Sequence, residues 1–156
     1  MADPDIRVRR AGPDDVSDLV ALRGLMFEAM GAGSGGAWRD NAAAWFAERV
    51  SDPAYGIVVV TEDGRVVSCA MASVRDAAPS PGVPAGGDVL ISNVCTYPED
   101  RGRGHGQRAF EAVMAWARAT GVGRAELMAT ADGHGMYERA GFVENPCPAM
   151  RAPLGA

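Results

Sequence analysis

The spacing of apolar positions changes several times along the chain, and each change marks an element. Ile6 to Arg10 sets apolar against charged residues in alternation, as a short edge strand does, and Gly12-Pro13-Asp14-Asp15 then gives a helix start with acids in its first turn. Val16, Leu19, Val20, Met26, Phe27 and Met30 recur at three- and four-residue intervals and predict a helix with one apolar face, which the glycine-rich stretch Gly31 to Gly36 ends. Gly24 within it costs about 1 kcal/mol against alanine. The glycine-rich stretch reads either as a plain linker or as a mobile loop beside a substrate cleft. A second helix is expected from near Asn41 to Val50, with Ala42, Trp45, Phe46 and Val50 on one face, stopping before Asp52-Pro53.

From Tyr55 the period shortens. Ile57 to Thr61 is β-branched, Glu62-Asp63-Gly64-Arg65 carries an Asp-Gly turn signal, and Val66 to Val74 continues as a strand, so a hairpin is expected. Ala77 to Gly87, rich in proline and glycine, reads as an excursion before the strand Val89 to Tyr97. A glycine-rich turn, a helix to about Thr120, a stop at Gly121 and a strand near Arg124 to Thr130 follow, which implies a parallel strand pair joined by a crossover. Phe142 to Leu154 offers one or two short strands broken by Pro146 and Pro148.

Composition narrows the function. The 156 residues, 47% hydrophobic and 22% charged, suit one globular domain spanning 1–156. Apolar runs such as Ile57 to Val60 are far below the roughly 20 residues of a membrane span, and the acidic start (Asp3, Asp5) lacks the features of a signal peptide, so a cytoplasmic protein without a membrane partner is expected. All 15 basic residues are arginine. Without lysine there is no P-loop G-x-x-x-x-G-K-[ST] and no Schiff-base nucleophile. The net charge of −5 argues against a nucleic-acid partner and mildly favours cationic ones. Cys69, Cys95 and Cys147 are isolated, and His105 and His134 lack metal-type spacing, so neither a disulfide framework nor a metal site is expected.

The most informative stretch is Tyr97-Pro98-Glu99-Asp100-Arg101-Gly102-Arg103-Gly104-His105-Gly106-Gln107, between a strand and a helix whose buried stripe is Phe110, Val113, Met114 and Ala117. The first turn of that helix has N–H groups without intrahelical partners, and glycines let a ligand approach them, so the turn suits a phosphate or pyrophosphate. A connection holding nothing is the plain alternative. A dinucleotide fingerprint fits poorly, because Gln107 stands where the third glycine belongs and Glu126 lies near the start of its strand.

Arg101-x-x-Gly104-x-Gly106, opening a helix after a strand that ends in Tyr97-Pro98-Glu99, closely resembles the [QR]-x-x-G-x-[GA] motif of the GNAT acetyltransferase superfamily. Downstream, Met136-Tyr137-Glu138-Arg139-Ala140-Gly141-Phe142 resembles that family's L-Y-E-x-x-G-F segment, at matching spacing. The resemblance is strongest from Val89 to Phe142 and weak before Tyr55. It implies an α/β fold with a mixed, mostly antiparallel central sheet whose fourth and fifth strands splay apart to admit the pantetheine arm of acetyl-CoA. It further implies that backbone amides from Gly102 through Arg103, Gly104, His105 and Gly106 to Gln107 bind the pyrophosphate, with charge from Arg101 and Arg103, and that the strand edge at Cys95, Thr96 and Tyr97 pairs with the pantetheine amides. His105 is expected to be exposed and to contribute only its amide.

The activity so implied is direct acetyl transfer from acetyl-CoA to a primary amine, on a small molecule or a peptide, without metal. Tyr137 matches the family tyrosine that serves as general acid toward the coenzyme sulfur. A backbone N–H near Cys95 polarises the carbonyl, leaving the Cys95 side chain as core. The base is open among Glu28, Asp88, Asp132, His134 and a water chain. Asp132-Gly133-His134-Gly135 departs from the family's asparagine-containing sequence, and its glycines weaken the start of the last helix. Met26, Phe27, Met30, Trp38 and Trp45 read as core or as an apolar acceptor pocket, and acceptor choice falls to the first two helices, their loop and the Ala77 to Gly87 excursion. A homodimer is common in the family, and a non-catalytic acyl-CoA sensor on the same fold is the rival class.

Overall fold

The computed structural model describes residues 2–33 and 35–155. Strand β1 (Ile6–Arg10) pairs antiparallel with β2 (Tyr55–Glu62), β2 with β3 (Arg65–Arg75), and β3 with β4 (Asp88–Thr96); β5 (Ala125–Glu126) runs parallel to β4 at the end of the sheet. Helices α1 (Val16–Ala29) and α2 (Trp38–Arg49) cover one face, and α3 (His105–Ala119) covers the other. The short α4 (His134–Arg139) packs beside α3 through Tyr137.

This two-sided cover explains why β2 and β3 read as continuous apolar runs. Ile57, Val59, Cys69 and Met71 face α1 and α2, while Val58, Val60, Ala70 and Ala72 face α3. The Asp-Gly turn between them holds Asp63 at φ 50° and Gly64 at φ 82°, the paired left-handed geometry that lets a two-residue turn follow the strand twist. As expected of an edge strand, β1 is charged and largely exposed.

The decisive irregularity lies in β4. Cys69 pairs with Cys95, but Met71 pairs with Ser92, so β4 carries one more residue than β3 across this interval. Asn93, at φ 56°, is the inserted residue, a conformation asparagine tolerates better than most side chains. The insertion inverts the alternation. Val89 and Ile91 face α3, whereas Cys95 faces α1 and α2, where an unbroken strand would have put it with Ile91. Two residues before the bulge β4 and β5 part: only Val89 and Leu90 have β5 partners, leaving the edge from Ile91 onward open.

Several expectations need correction. The β5 pairing covers two residues rather than Arg124 to Thr130, and no strand forms over 142–155. Pro146 and Pro148 lack the N–H donors a ladder needs, and the diverging β5 gives that segment no template. Helix α2 starts at Trp38 instead of Asn41, because Trp38 packs edge-to-face on Phe27 of α1, with centroids 5.6 Å apart. Met30 lies past the end of α1 and is 55% exposed, whereas Leu22 is core. Gly24 is buried where the Arg39 guanidinium of α2 crosses α1, so it gives room that alanine would take away. The excursion over 76–87 closes on itself through Gly87 N–H to Ala77 O (2.9 Å) and packs by Gly123, at the end of β4 remote from the glycine turn.

Candidate functional site

After β4 the chain makes a short turn, Pro98–Asp100, and enters α3 through Gly104. Gly104 sits at φ 80°, where an L side chain would be strained, and so turns the backbone into the helix with its amides facing outward. Among the described residues, the N–H groups of all six residues from Gly102 to Gln107 donate to no protein acceptor, whereas Asp100, Arg101 and Arg108 on either side do. Six consecutive free donors at the positive end of a 15-residue helix form an anion cradle. A Cβ on Gly106 would stand 3.3 Å from Thr96 Oγ1, so the cradle lies directly against the open end of β4.

An ionic chain pins this loop to the β2–β3 hairpin. Arg65 grips the buried Asp100 with two hydrogen bonds of 2.8 and 2.9 Å, and Arg103 bridges Asp100 (3.0 Å) to Glu62 (2.6 Å). The hydrogen bonds from Arg65 hold the Asp100 carboxyl below its ordinary range. The side chain of Arg103, expected to lend charge to a phosphate, is therefore engaged by two carboxylates. Arg101 folds back, its Nε donating to Thr96 O at 3.2 Å. Beneath the loop His105 is buried, not exposed as expected; the first turn of α3 directs its ring inward, 3.8 Å from Glu62. Neither ring nitrogen has a hydrogen-bond partner, and burial pushes the imidazole down, so it stays neutral.

The end of β4 offers different residues to its two sides. Cys95 points to the α1 and α2 face, where burial pushes its thiol up, as core packing and not nucleophilic chemistry requires. Tyr97 points the same way and donates to Asp18 Oδ1 at 2.7 Å; burial and that bond push its phenol up. Thr96 faces the α3 side, and its Oγ1 lies 2.9 Å from Ser68 Oγ, which also donates to Cys95 O at 2.9 Å.

Tyr137 is buried on α4, its ring 5.1 Å from Phe110 of α3 and 6.3 Å from Phe142. Burial alone pushes its phenol up, with no hydrogen bond offsetting it. Gly133 faces this ring at close range: a Cβ there would be 2.8 Å from Tyr137 Cε2. Of the candidate bases, Asp88 sits at the remote end of β4 with its carboxyl held down by Arg75. His134 is clasped by Glu138 and Glu144, and their hydrogen bonds raise its pKa, favouring imidazolium. Glu28 and Asp132 are exposed.

On the opposite face, α1 and α2 flank an open cavity of about 560 Å³. Phe27, Trp38 and Trp45 line it, while Met26 packs in the core and Met30 is exposed, so three of the five residues weighed as pocket or core are pocket. Of the glycine-rich stretch, Ala32 and Gly33 border the cavity; Ser34 lies outside the described residues. Sequence reasoning missed Arg23 on the cavity wall and Asn93, to which its Nη1 donates at 3.0 Å. Their only sequence signals were an arginine between Leu22 and Leu25 and an asparagine within an apolar strand. Among the described residues no cluster of His, Cys, Asp or Glu is arranged to hold a metal ion, and no helix is long and apolar enough to cross a membrane.

An open mixed sheet flanked by helices, with an anion cradle where two parallel strands part, defines the fold class as α/β. The chain belongs to the acetyltransferase (GNAT) family, whose model matches residues 21–142. It is similar to the solved GCN5-related N-acetyltransferase from Ralstonia eutropha, at 26% identity over 96% of this chain and 99% of that one, with a TM-score of 0.82. A predicted acetyltransferase from Clostridium acetobutylicum, solved with acetyl-CoA, shares the fold at a TM-score of 0.85 and 19% identity, covering 95% and 96% of the two chains. An aminoglycoside N-acetyltransferase solved in complex with CoA shares it at 0.77 and 16%, covering 99% and 98%. No curated protein matches the sequence.

Proposed function

We propose that the protein is an acetyl-CoA-dependent N-acetyltransferase that passes the acetyl group directly to a primary amine. The observation that carries this reading is the run of six free N–H groups from Gly102 to Gln107 beside the unpaired edge of β4. That donor set fits a pyrophosphate, which needs many convergent donors and little side-chain bulk. Bound acetyl-CoA supplies the acyl group as an activated thioester. Gly102, Arg103, Gly104, His105, Gly106 and Gln107 hold the diphosphate through their amides, with Arg101 beside them. At the edge formed by Cys95, Thr96 and Tyr97, the Tyr97 N–H is spent on Val67 O at 3.0 Å and Thr96 O accepts from Arg101 Nε, so strand-type hydrogen bonds to an extended amide chain come from the remaining backbone groups or after Arg101 swings away. Tyr137 keeps its proton at neutral pH because burial disfavours the phenolate, and its Oη is the donor for a departing thiolate. With Asp88 and His134 poorly suited, a water chain or an exposed carboxylate takes the amine proton.

Thermal unfolding with acetyl-CoA, and with NAD and ATP as controls, tests the donor; ligand at 100 times its Kd adds about 2.7 kcal/mol. A shift specific to acetyl-CoA supports the reading, and none at millimolar ligand overturns it. Tyr137→Phe separates an enzyme from a sensor, since it should lower turnover by about 100-fold while leaving the thermal shift in place.

A further inference from the structure

Among the described residues, the cavity between α1 and α2 is lined by one cation and no anion. Arg23 lies in its wall, half-buried, between the Phe27 ring at 4.8 Å and the Asn93 carboxamide. Arg9, Arg65, Arg75 and Arg103 each grip a carboxylate through two hydrogen bonds; Arg23 pairs with none among the described residues. It shares the cavity wall with the aromatic rings of Phe27, Trp38, Trp45 and Phe46, and its desolvated charge is answered only by neutral groups, the Asn93 carboxamide and the Phe27 ring face. A half-buried guanidinium facing an apolar cavity is completed by a ligand anion, and its planar fork matches a carboxylate. Its place matters equally. The group it bonds, Asn93, is the inserted residue of the β4 bulge, three residues past the last β4–β5 pair. An anion on Arg23 thus lies close to the strand edge at which the proposed function puts the acyl group, which calls for a short link between carboxylate and amine.

We propose that the cavity receives a free α-amino acid with a large apolar side chain, its carboxylate on Arg23 and its side chain among Phe27, Trp38 and Trp45. This rests on the acetyltransferase reading only for the reaction, not for binding. In that reaction the amine nitrogen forms a bond to the acyl carbon as the carbon–sulfur bond breaks. One ammonium proton leaves to solvent before attack, the amine's remaining excess proton follows it, and the thiolate takes its proton from Tyr137, which solvent restores. The products are an N-acetyl amino acid and free thiol. The same cation disfavours polyamines and basic side chains, reversing at the cavity what the net charge of −5 suggests for the molecule.

Trp38 and Trp45 in the cavity wall give a binding signal that needs no turnover. Fluorescence of the full chain, with and without CoA, is titrated with L-phenylalanine, L-leucine, phenethylamine and spermidine, for wild type, Arg23→Met and Arg23→Lys. The two amino acids should bind. Losing the carboxylate, as in phenethylamine, or the charge, as in Arg23→Met, should weaken binding by about tenfold or more, and Arg23→Lys should regain part of it. Phenethylamine binding as tightly as phenylalanine, an unaffected Arg23→Met, or no saturable signal from either amino acid at about 10 mM would overturn the proposal. Amino-acid binding without any acetyl-CoA thermal shift supports the site and sinks the enzyme reading. An acetyl-CoA shift without amino-acid binding does the reverse.

Discussion

Gly133→Ala isolates the placement of the Tyr137 hydroxyl from every other property of the site. Gly133 has φ −89° and ψ −15°, which alanine adopts without strain, so the backbone gives no reason for glycine. The reason is the ring: the added methyl would stand 2.8 Å from Cε2, 3.2 Å from Cζ and 3.3 Å from Oη of Tyr137. An ordinary carbon contact is about 3.6 Å, so the ring must withdraw by about 0.8 Å. Phe110 and Phe142 block an easy retreat. Overpacking of this kind costs about 1–3 kcal/mol, partly offset by the roughly 0.4–1 kcal/mol that Gly→Ala gains through the unfolded chain. Stability therefore falls modestly. Turnover falls much further, because a misplacement near 1 Å costs about 100-fold in a positioned reaction. The assay follows thiol release with an amine the wild type acetylates, alongside the acetyl-CoA thermal shift, which should persist because the cradle belongs to α3. Turnover within about twofold of wild type would refute the assignment of Tyr137 as a positioned acid.

The pKa values of the two histidines should be shifted in opposite directions, resolvable by NMR because the chain has no others. Burial lowers His105, so its contribution to stability is complete above the unfolded value near 6.5 and is lost as pH falls from there toward its lowered pKa. His134 is raised by Glu144 and Glu138, so its contribution is complete below 6.5 and is lost as pH rises through its raised pKa; coincident titration of the two would contradict the buried and clasped environments. Under native conditions a thiol reagent should label Cys147 alone, since Cys69 and Cys95 are buried with thiols pushed up; rapid modification of Cys95 would revive it as a nucleophile. Gly104→Ala forces an L side chain to φ 80°, costing about 1–2 kcal/mol, and tilts the amide cradle, so acetyl-CoA affinity should drop more than stability, as calorimetry would show.

What the sequence determined is what depends on near neighbours in the chain. The Asp63-Gly64 turn, the Phe110, Val113, Met114 and Ala117 stripe, and the free amides after Gly102 were legible because turn geometry, helical period and unpaired first-turn donors are local properties. The burial of His105 and the engagement of Arg103 were not, since both depend on Glu62, more than 40 residues earlier on another strand. The bulge at Asn93 was hidden because both faces of β4 are covered by helices, so a change of face leaves no mark on its apolar pattern. Only pairing with β3 reveals that Cys95 has changed faces. Arg23 became a cavity cation through tertiary packing, which brought aromatic rings from α2 but, among the described residues, supplied no carboxylate. Desolvation and charge compensation are sums over surroundings that the fold assembles, and so the chain's order of residues specified the amide cradle while the folded packing decided what the opposite cavity can hold.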